Sequence, residues 1–176
     1  AEHATRVARH LRLSAERIEL ITEAARMHDV GKVTTPDHVL KKPGPLNTRE
    51  WDEMHKHCGA GHHFLQRIPD FSDGADLVLS HHERVDGTGY PRGLFGVDLP
   101  LEASIIAVCD AYDAMTSDRV YRSALPRHRV IAELQAGRGT QWHEKAVNAL
   151  LELVEQGAIT PASTRAPEQQ QVAAAG

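Results

Sequence analysis

Histidines next to carboxylates mark the parts of this chain that could carry out metal chemistry. His28 is followed directly by Asp29, and residues 81–91 hold two adjacent histidines, two carboxylates and a Gly-Tyr-Pro turn. Asp110 follows the apolar run 105–109, where a bare carboxylate is costly unless it is paired or bound to a metal. Imidazoles together with carboxylates are typical ligands of hydrolytic centres that use Mn, Fe or Zn.

Each of these residues, taken alone, has a simpler structural explanation. A single histidine on an apolar face is more often hydrogen-bonded in the core than bound to a metal, and a buried aspartate often caps a helix or forms an ion pair. Here, several imidazoles and two carboxylates are expected to point into one core. Because a helical core has few structural uses for so many polar groups, the set as a whole favours a metal centre.

The segments that must position these residues have a helical pattern. Apolar residues recur at three- and four-residue spacing, and no alternating strand pattern occurs. Ser14 is a good N-cap for a helix that Gly31 would end, and Asn47 begins another helix with the signature of a capping box. Loops rich in glycine and proline are predicted at 33–46 and 83–100. About seven helices are therefore predicted, near residues 3–11, 14–30, 47–68, 75–82, 101–116, 127–137 and 143–156.

The length and composition predict one all-α domain. The chain has 176 residues, of which 41% are apolar and 25% are charged, and this is enough for a single domain with a real core. We predict that the domain covers residues 1–156 and that the Pro-, Ser-, Gln- and Ala-rich segment 157–176 is a disordered tail. Because the chain opens at Ala1 inside a helical pattern, we expect its first helix to be truncated.

The charge, cysteine content and hydropathy disfavour several classes of protein. A formal charge of −4 argues against general binding to DNA, RNA or anionic membranes. The two cysteines, Cys58 and Cys109, are too few for a disulfide framework, so we expect a cytoplasmic protein in which both are small buried hydrophobes. The sequence contains no run of the roughly 18 to 20 apolar residues that a membrane helix needs.

Longer motifs resemble those of the HD-GYP family of bacterial cyclic di-GMP phosphodiesterases. The likeness rests first on His28-Asp29-Val30-Gly31-Lys32 and on the stretch from His81-His82-Glu83 to Gly89-Tyr90-Pro91. It runs in register through most of the chain and includes further segments at 42–46, 51, 54–57, 110–119 and 121–122. Such an ordered set of motifs is far more specific than a lone His-Asp pair.

The resemblance implies an HD-domain helical bundle with a metal centre in its core. It implies two divalent metal ions, most often iron or manganese, with Asp29 bridging them through its two carboxylate oxygens. Trinuclear members use a glutamate four residues before the first histidine, and that position falls before Ala1, so a third metal is not expected. The ligands implied by the resemblance are His3, His28, Asp29, His57, His81, His82 and Asp110.

The resemblance also assigns residues to the substrate. Lys32 would point at the scissile phosphate, and Arg119 and Arg122 would hold phosphate groups with their forked guanidinium donors. Gly89 and Tyr90 would contact the guanine or sugar of the nucleotide. These cations would explain how an acidic protein can bind a dianionic substrate.

Two carboxylates are expected to support the site without binding a metal. Glu83 lies at a family position that supports the site from outside the ligand set, and Asp113 would orient a ligand imidazole or the arginines. We expect the remaining histidines to be surface or structural residues: His10, His38, His55, His62, His63, His128 and His143.

The implied reaction is hydrolysis of cyclic di-GMP in bacterial second-messenger signalling. Two close metal ions would lower the pKa of a bridging water, and the resulting hydroxide would attack phosphorus in line with the departing ribose 3′ oxygen. The products would be pGpG, GMP or both. An upstream receiver or sensor domain and other signalling proteins are the partners that the resemblance implies.

Two alternatives remain open from the sequence. One is a regulatory HD-GYP module that binds nucleotide or a partner protein without useful catalysis. It is supported by departures from the family pattern, such as Ser104 in place of an arginine. The other is a broader HD phosphohydrolase that acts on mononucleotides, against which the Gly89-Tyr90-Pro91 loop and the pair Arg119 and Arg122 argue.

Overall fold

Helices form the whole framework of the part of the chain that the structure describes. The computed structural model describes residues 1–118 and 123–161. Within these ranges there is no β-strand, and only two isolated bridges join Asp86 to Phe95 and Arg138 to Trp142. The predicted all-α class is confirmed. The helices are α1 (Glu2–His10), α2 (Ala15–Met27), α3 (Asp37–Leu40), α4 (Thr48–Leu65), α5 (Ser72–Ser80), α6 (Leu101–Thr116), α7 (Arg127–Ala136) and α8 (Glu144–Glu155).

The helix beginnings follow the capping signals in the sequence. The side chain of Ser14 accepts a hydrogen bond from the backbone N–H of Arg17 at the start of α2. Asn47 and Glu50 form a reciprocal capping box at the start of α4, at 3.0 and 2.7 Å. These bonds satisfy backbone donors that the first turn of a helix leaves without partners.

The end of α2 differs from the prediction. Gly31 does not terminate the helix, which ends at Met27 and is followed by a 3₁₀ turn over Val30–Thr34. Gly31 lies inside that turn, where an added Cβ would come within 1.9 Å of the carbonyl oxygen of His57. The glycine is therefore needed so that the turn can pack closely against α4. The short α3, inside the loop predicted at 33–46, raises the number of α-helices to eight within residues 1–118 and 123–161.

Helix α6 forms the centre of the core, as its apolar pattern predicted. Its buried residues include Ile105, Ile106 and Val108, and it packs against α1, α2, α5, α7 and α8. This position lets Asp110, in the C-terminal half of α6, lie close to His28, which directly follows α2. None of the helices in the described ranges is both long and apolar enough to span a membrane.

The packed domain extends beyond the boundary predicted at residue 156. Gly157, with φ of +70°, turns the chain back after α8, and Ile159 is buried with only 2% of its surface exposed. Arg6 also donates a hydrogen bond to the carbonyl of Ala158 at 2.9 Å. Ile159 therefore supplies apolar surface to the core although it lies after residue 156. The rest of that tail, 162–176, lies outside the described residues.

Candidate metal centre

The ends of several helices bring the predicted ligands into one cluster. His28 follows the last residue of α2 and Asp29 begins the 3₁₀ turn. His57 lies within α4, His81 follows the last residue of α5, and Asp110 lies on α6. Residues far apart in sequence therefore present their polar atoms to one another at the junction of four helices.

Three of these imidazoles are oriented by the same backbone contact. The Nδ1 atom of each lies within hydrogen-bonding distance of the carbonyl oxygen three residues earlier: 2.9 Å for His28, 2.7 Å for His57 and 2.6 Å for His81. A carbonyl only accepts, so Nδ1 must carry a proton, and in the neutral ring Nε2 then carries the lone pair. This is how proteins orient histidine ligands before a metal binds.

The lone pairs fixed in this way face other acceptors. Nε2 of His57 lies 3.4 Å from Nε2 of His81 and 3.6 Å from Oδ1 of Asp29. Nε2 of His28 lies 3.6 Å from Oδ1 of Asp110 and 3.5 Å from Oδ2 of Asp29. Among the described residues, His28 Nε2 and Asp29 Oδ1 are buried atoms with no hydrogen-bond partner. Acceptors that converge on one another in this way fit a bound cation.

The protonation states also suit a metal ion. Burial lowers the pKa of His57 and of His81, and it lowers the pKa of His82 to about 4, so these rings are neutral near pH 7. Burial opposes the charged forms of both Asp110 and His28, but their mutual attraction holds the pKa of Asp110 at about 2 and, together with Asp29, raises the pKa of His28. Neutral imidazoles and ionised carboxylates are the forms that bind metals.

His82 and Cys58 enlarge the cluster. One ligand atom from each of His57, Cys58, His81 and His82 lies within 4.8 Å of the others. The prediction that Cys58 is buried is confirmed, and burial raises the pKa of its thiol to about 12. Its position beside three imidazoles was not predicted, because sequence periodicity does not reveal how adjacent residues of a helix share a junction.

Lys32 lies at the edge of the cluster. Its Nζ is 2.7 Å from Oδ2 of Asp29, and its side chain is about one-third exposed. The ammonium group thus sits beside a predicted metal ligand and still reaches solvent. A cavity of about 350 Å³ opens next to the cluster and is lined by His81, His82, Tyr90 and Asp110, among others.

The Gly-Tyr-Pro loop is held in place by a buried carboxylate. Glu83 is 2% exposed and accepts hydrogen bonds from the backbone N–H groups of Arg92 at 2.6 Å and Leu94 at 3.0 Å. A Cβ on Gly89 would lie 2.3 Å from the backbone nitrogen of Arg84, so only glycine fits there. Both of these hydrogen bonds join Glu83 to the loop that carries Tyr90.

The ring of Tyr90 stacks on two histidines. Its centroid is 3.8 Å from that of His55, with the planes 20° apart, and 4.9 Å from that of His82. The ring of His55 also contacts that of Trp51, with their centroids 5.5 Å apart. The expectation that His55 is only a surface or structural residue missed this contact. Its spacing of four from Trp51 on α4 is the one sequence signal that could have indicated it.

His3 is placed differently from the other predicted ligands. It is buried on α1, its Nδ1 lies 2.8 Å from Oδ1 of Asp113, and its ring packs edge-on against Tyr112. Asp113 therefore contacts an imidazole, which is the kind of contact expected of an orienting carboxylate. A metal at His3 would have to bind the other ring nitrogen. Arg119 and Arg122, predicted to hold phosphates, lie outside the described residues.

The chain is similar to known bacterial phosphodiesterases. A sequence model of the HD domain matches residues 1–147. The cyclic di-GMP phosphodiesterase response regulator RpfG of Xanthomonas campestris is 44% identical over 82% of this chain and 39% of its own length. A cyclic di-GMP phosphodiesterase of Thermotoga maritima is 38% identical over 84% of this chain and 41% of its own length.

Relatives with another named substrate also match. The 3′3′-cGAMP-specific phosphodiesterase 2 of Vibrio cholerae is 36% identical over 86% of this chain and 30% of its own length. The crystal structure of a cyclic GMP-AMP specific phosphodiesterase of Vibrio cholerae superposes with a TM-score of 0.67 at 16% identity, covering 86% of this chain and 42% of that one. That likeness establishes the fold. The chain spans about two-fifths of the length of the first two curated relatives.

Proposed function

Because the chain belongs to the HD domain family, and its motifs and curated relatives place it in the HD-GYP group, we propose that it is a metal-dependent phosphodiesterase that hydrolyses cyclic di-GMP. The observation that carries the proposal is the convergence of imidazole lone pairs and carboxylates at 3.4 to 3.6 Å. Such a cluster is suited to hydrolytic metal ions. Since the chain covers only part of each relative, the activity, substrates and partners of a longer protein are part of the same proposal.

The proposed metal site uses the residues that the structure clusters, together with His3. Asp29 would help to hold two divalent ions, iron or manganese, because its carboxylate approaches both His28 and His57. His3 remains a proposed ligand through its second ring nitrogen. A bound metal pair supplies Lewis acidity toward phosphate oxygens and activates water for attack. The ligands proposed to hold the pair are His3, His28, Asp29, His57, His81, His82 and Asp110.

Lys32 is proposed to bind the scissile phosphate. Its ammonium group is half-buried beside Asp29, so it can donate to a phosphate oxygen held at the ligand cluster. This contact would strengthen as negative charge builds up on the phosphate during the attack. Arg119 and Arg122, which lie outside the described residues, are proposed to hold the phosphate groups of the substrate.

Tyr90 and Gly89 are proposed to contact the nucleoside part of the substrate. The stacking of Tyr90 on His55 and His82 fixes its ring beside the cavity, so its hydroxyl group can be presented in one direction. Glu83 would act indirectly, by holding the loop. The proposed products are pGpG, GMP or both, and the proposed setting is second-messenger signalling, with an upstream receiver or sensor domain as one partner.

A second candidate substrate is 3′3′-cGAMP. It is favoured by the relative of that name in Vibrio cholerae, which is 36% identical to this chain. The two cyclic dinucleotides share the phosphodiester and one guanine, so the same ligand cluster would serve either reaction.

The proposal is tested by hydrolysis assays on matched variants. The protein, purified without oxygen, is offered cyclic di-GMP, 3′3′-cGAMP and mononucleotides, with products separated by chromatography. Asp29→Ala should lower turnover at least about 100-fold, because it removes a shared ligand. Asp37→Ala, which removes an exposed carboxylate paired with Lys41, should leave turnover unchanged. Undiminished hydrolysis by Asp29→Ala would contradict the proposed centre, and nucleotide binding without product would favour a regulatory module.

A further inference from the structure

Cys58 presents its sulfur to the imidazole cluster. It follows His57 on α4 and has no exposed surface. Its Sγ atom lies 3.5 Å from Nε2 of His57, and its potential ligand atom is within 4.8 Å of those of His57, His81 and His82. A cysteine that served only to fill the core would have apolar neighbours in this direction. Instead it faces nitrogen atoms that are already oriented as ligands.

Two distances among these atoms match those between ligands of a tetrahedral ion. With metal–sulfur and metal–nitrogen bonds of about 2.3 and 2.05 Å, tetrahedral geometry places sulfur about 3.6 Å from nitrogen and two nitrogens about 3.4 Å apart. The structure has 3.5 Å between Cys58 Sγ and His57 Nε2, and 3.4 Å between Nε2 of His57 and Nε2 of His81. The two distances share the atom Nε2 of His57, and one of them contains the sulfur; the remaining ligand atoms lie within 4.8 Å of these.

We propose that Cys58 is a thiolate ligand of one of the metal ions, alongside His57 and the shared carboxylate of Asp29. This inference rests on the metal centre of the proposed function and adds to it a ligand that changes metal preference. On binding, the thiol releases its proton to solvent and the sulfur donates a lone pair to the ion. Because thiolates favour zinc and other soft ions whereas oxygen ligands suit Mn²⁺, the sulfur would bias this position against manganese.

Cobalt absorption tests the sulfur contact directly. The protein is stripped of metal with a chelator, reduced, and loaded with Co²⁺ without oxygen while its near-ultraviolet spectrum is recorded. A thiolate bound to Co²⁺ gives a charge-transfer band that imidazole and carboxylate ligands do not give. The wild-type protein should show this band, and Cys58→Ser should lose it. Cys109→Ser is the matched control, because Cys109 is equally buried but lies on α6 and should leave the band intact.

A competition between metals gives a second measurement. Cys58→Ser should lower the affinity for Zn²⁺ at least about tenfold, because loss of a residue that only hydrogen-bonds to a metal ligand already lowers metal affinity by about that factor. The affinity for Mn²⁺ should change little. An equal loss for both ions would mean that the substitution disturbs the whole site, and would contradict the sulfur contact.

The outcomes separate this inference from the proposed function. If Co²⁺ binds to the wild-type protein without the band, or the band persists in Cys58→Ser, Cys58 is not a ligand although the metal centre stands. The absence of the band from the wild-type spectrum is sufficient to exclude Cys58 as a ligand, even if Cys58→Ser does not fold. If the wild-type protein binds no Co²⁺, Zn²⁺ or Mn²⁺, both the thiolate ligand and the metal-dependent function are wrong.

Discussion

Single hydrogen bonds prepare individual histidines for metal binding. In His28, His57 and His81, Nδ1 is engaged by a carbonyl of the same local segment, so each Nε2 faces the cluster. The contacts are local and do not depend on the distant elements of the fold. Since both the tautomer and the direction of each ring are fixed in advance, a metal would bind without first having to reorient them.

Lys32 gives the sharpest prediction for a single side chain. Lys32→Met keeps most of the side chain but removes the charge next to Asp29, so we expect kcat to fall about 100- to 1000-fold, as it does when a charge-stabilising donor is lost. Metal content should stay at the wild-type value. Lys41→Met removes an exposed lysine and should leave kcat unchanged. A loss of metal together with activity would show that Lys32 acts through Asp29 and not on the phosphate.

The sequence predicted most of the clustered residues but not their full neighbourhood. His28 and His57 could be predicted to face the core because each continues an apolar stripe on its helix. The contacts of Cys58 and His55 could not be predicted, because they depend on how α4 packs against α5 and the Gly-Tyr-Pro loop. Helical periodicity gives the face on which a residue lies, but not the partner that this face will meet.

Two elements, the 3₁₀ turn after α2 and helix α4, must touch for the centre to form. The turn carries Asp29 and Lys32, and α4 carries His57. Gly31 lies at their contact, where no side chain can be accommodated. The capping box that begins α4 was visible in the sequence, whereas the use of Gly31 for close packing was not, because a glycine after a helix more often serves as its C-cap.

Gly31→Ala should therefore separate the two elements. The added methyl group would clash with the carbonyl of His57, and we expect a loss of stability of about 1 to 3 kcal/mol together with a lower metal affinity. Thermal unfolding and metal titration measure both effects.

Gly59→Ala is the matched control on the same helix. A Cβ at Gly59 meets no atom within 4 Å, so alanine should stabilise α4 by up to about 1 kcal/mol through its better helix propensity. Wild-type metal affinity in Gly31→Ala would show that the contact between the turn and α4 does not position the ligands.

The position of the Gly-Tyr-Pro loop depends on α4 as well. His55 stacks on Tyr90 at 3.8 Å, and stacking of this kind is worth about 0.5 to 1.5 kcal/mol. If Tyr90 binds the substrate, His55→Ala should raise KM about two- to tenfold with little change in kcat, and His55→Phe should restore KM. His63→Ala, an exposed position on the same helix, is the control. A fall in kcat with constant KM would place His55 in another role.

The molecule as a whole joins helices that are distant in sequence around a polar centre. The periodicity of the sequence was sufficient to predict an all-α bundle, because the apolar stripes specify which faces are buried. It was not sufficient to place the C-terminal boundary, because Ile159 lies in a polar segment and packs only after Gly157 reverses the chain. An isolated apolar residue carries no periodic signal.

Metal binding should stabilise the whole fold. An ion that binds only the folded cluster, present at about 100 times its Kd, adds about 2.7 kcal/mol of stability. Removal of metal with a chelator should therefore lower Tm by about 5 to 10 °C in a protein of this size. Adding the metal back should restore Tm in the wild-type protein but not in Asp29→Ala. An unchanged Tm after confirmed metal loss would mean that the cluster is stable without a cation.

The most direct test of the account is metal content and cyclic di-GMP hydrolysis, measured on the same sample of protein purified without oxygen. We expect about two divalent ions per chain, as in a two-metal phosphodiesterase, and the appearance of pGpG or GMP. Metal without product would support the binding module as the function of this chain. A protein that contains no metal and takes up none when it is supplied would contradict the central claim, because the converging histidines and carboxylates would then be purely structural.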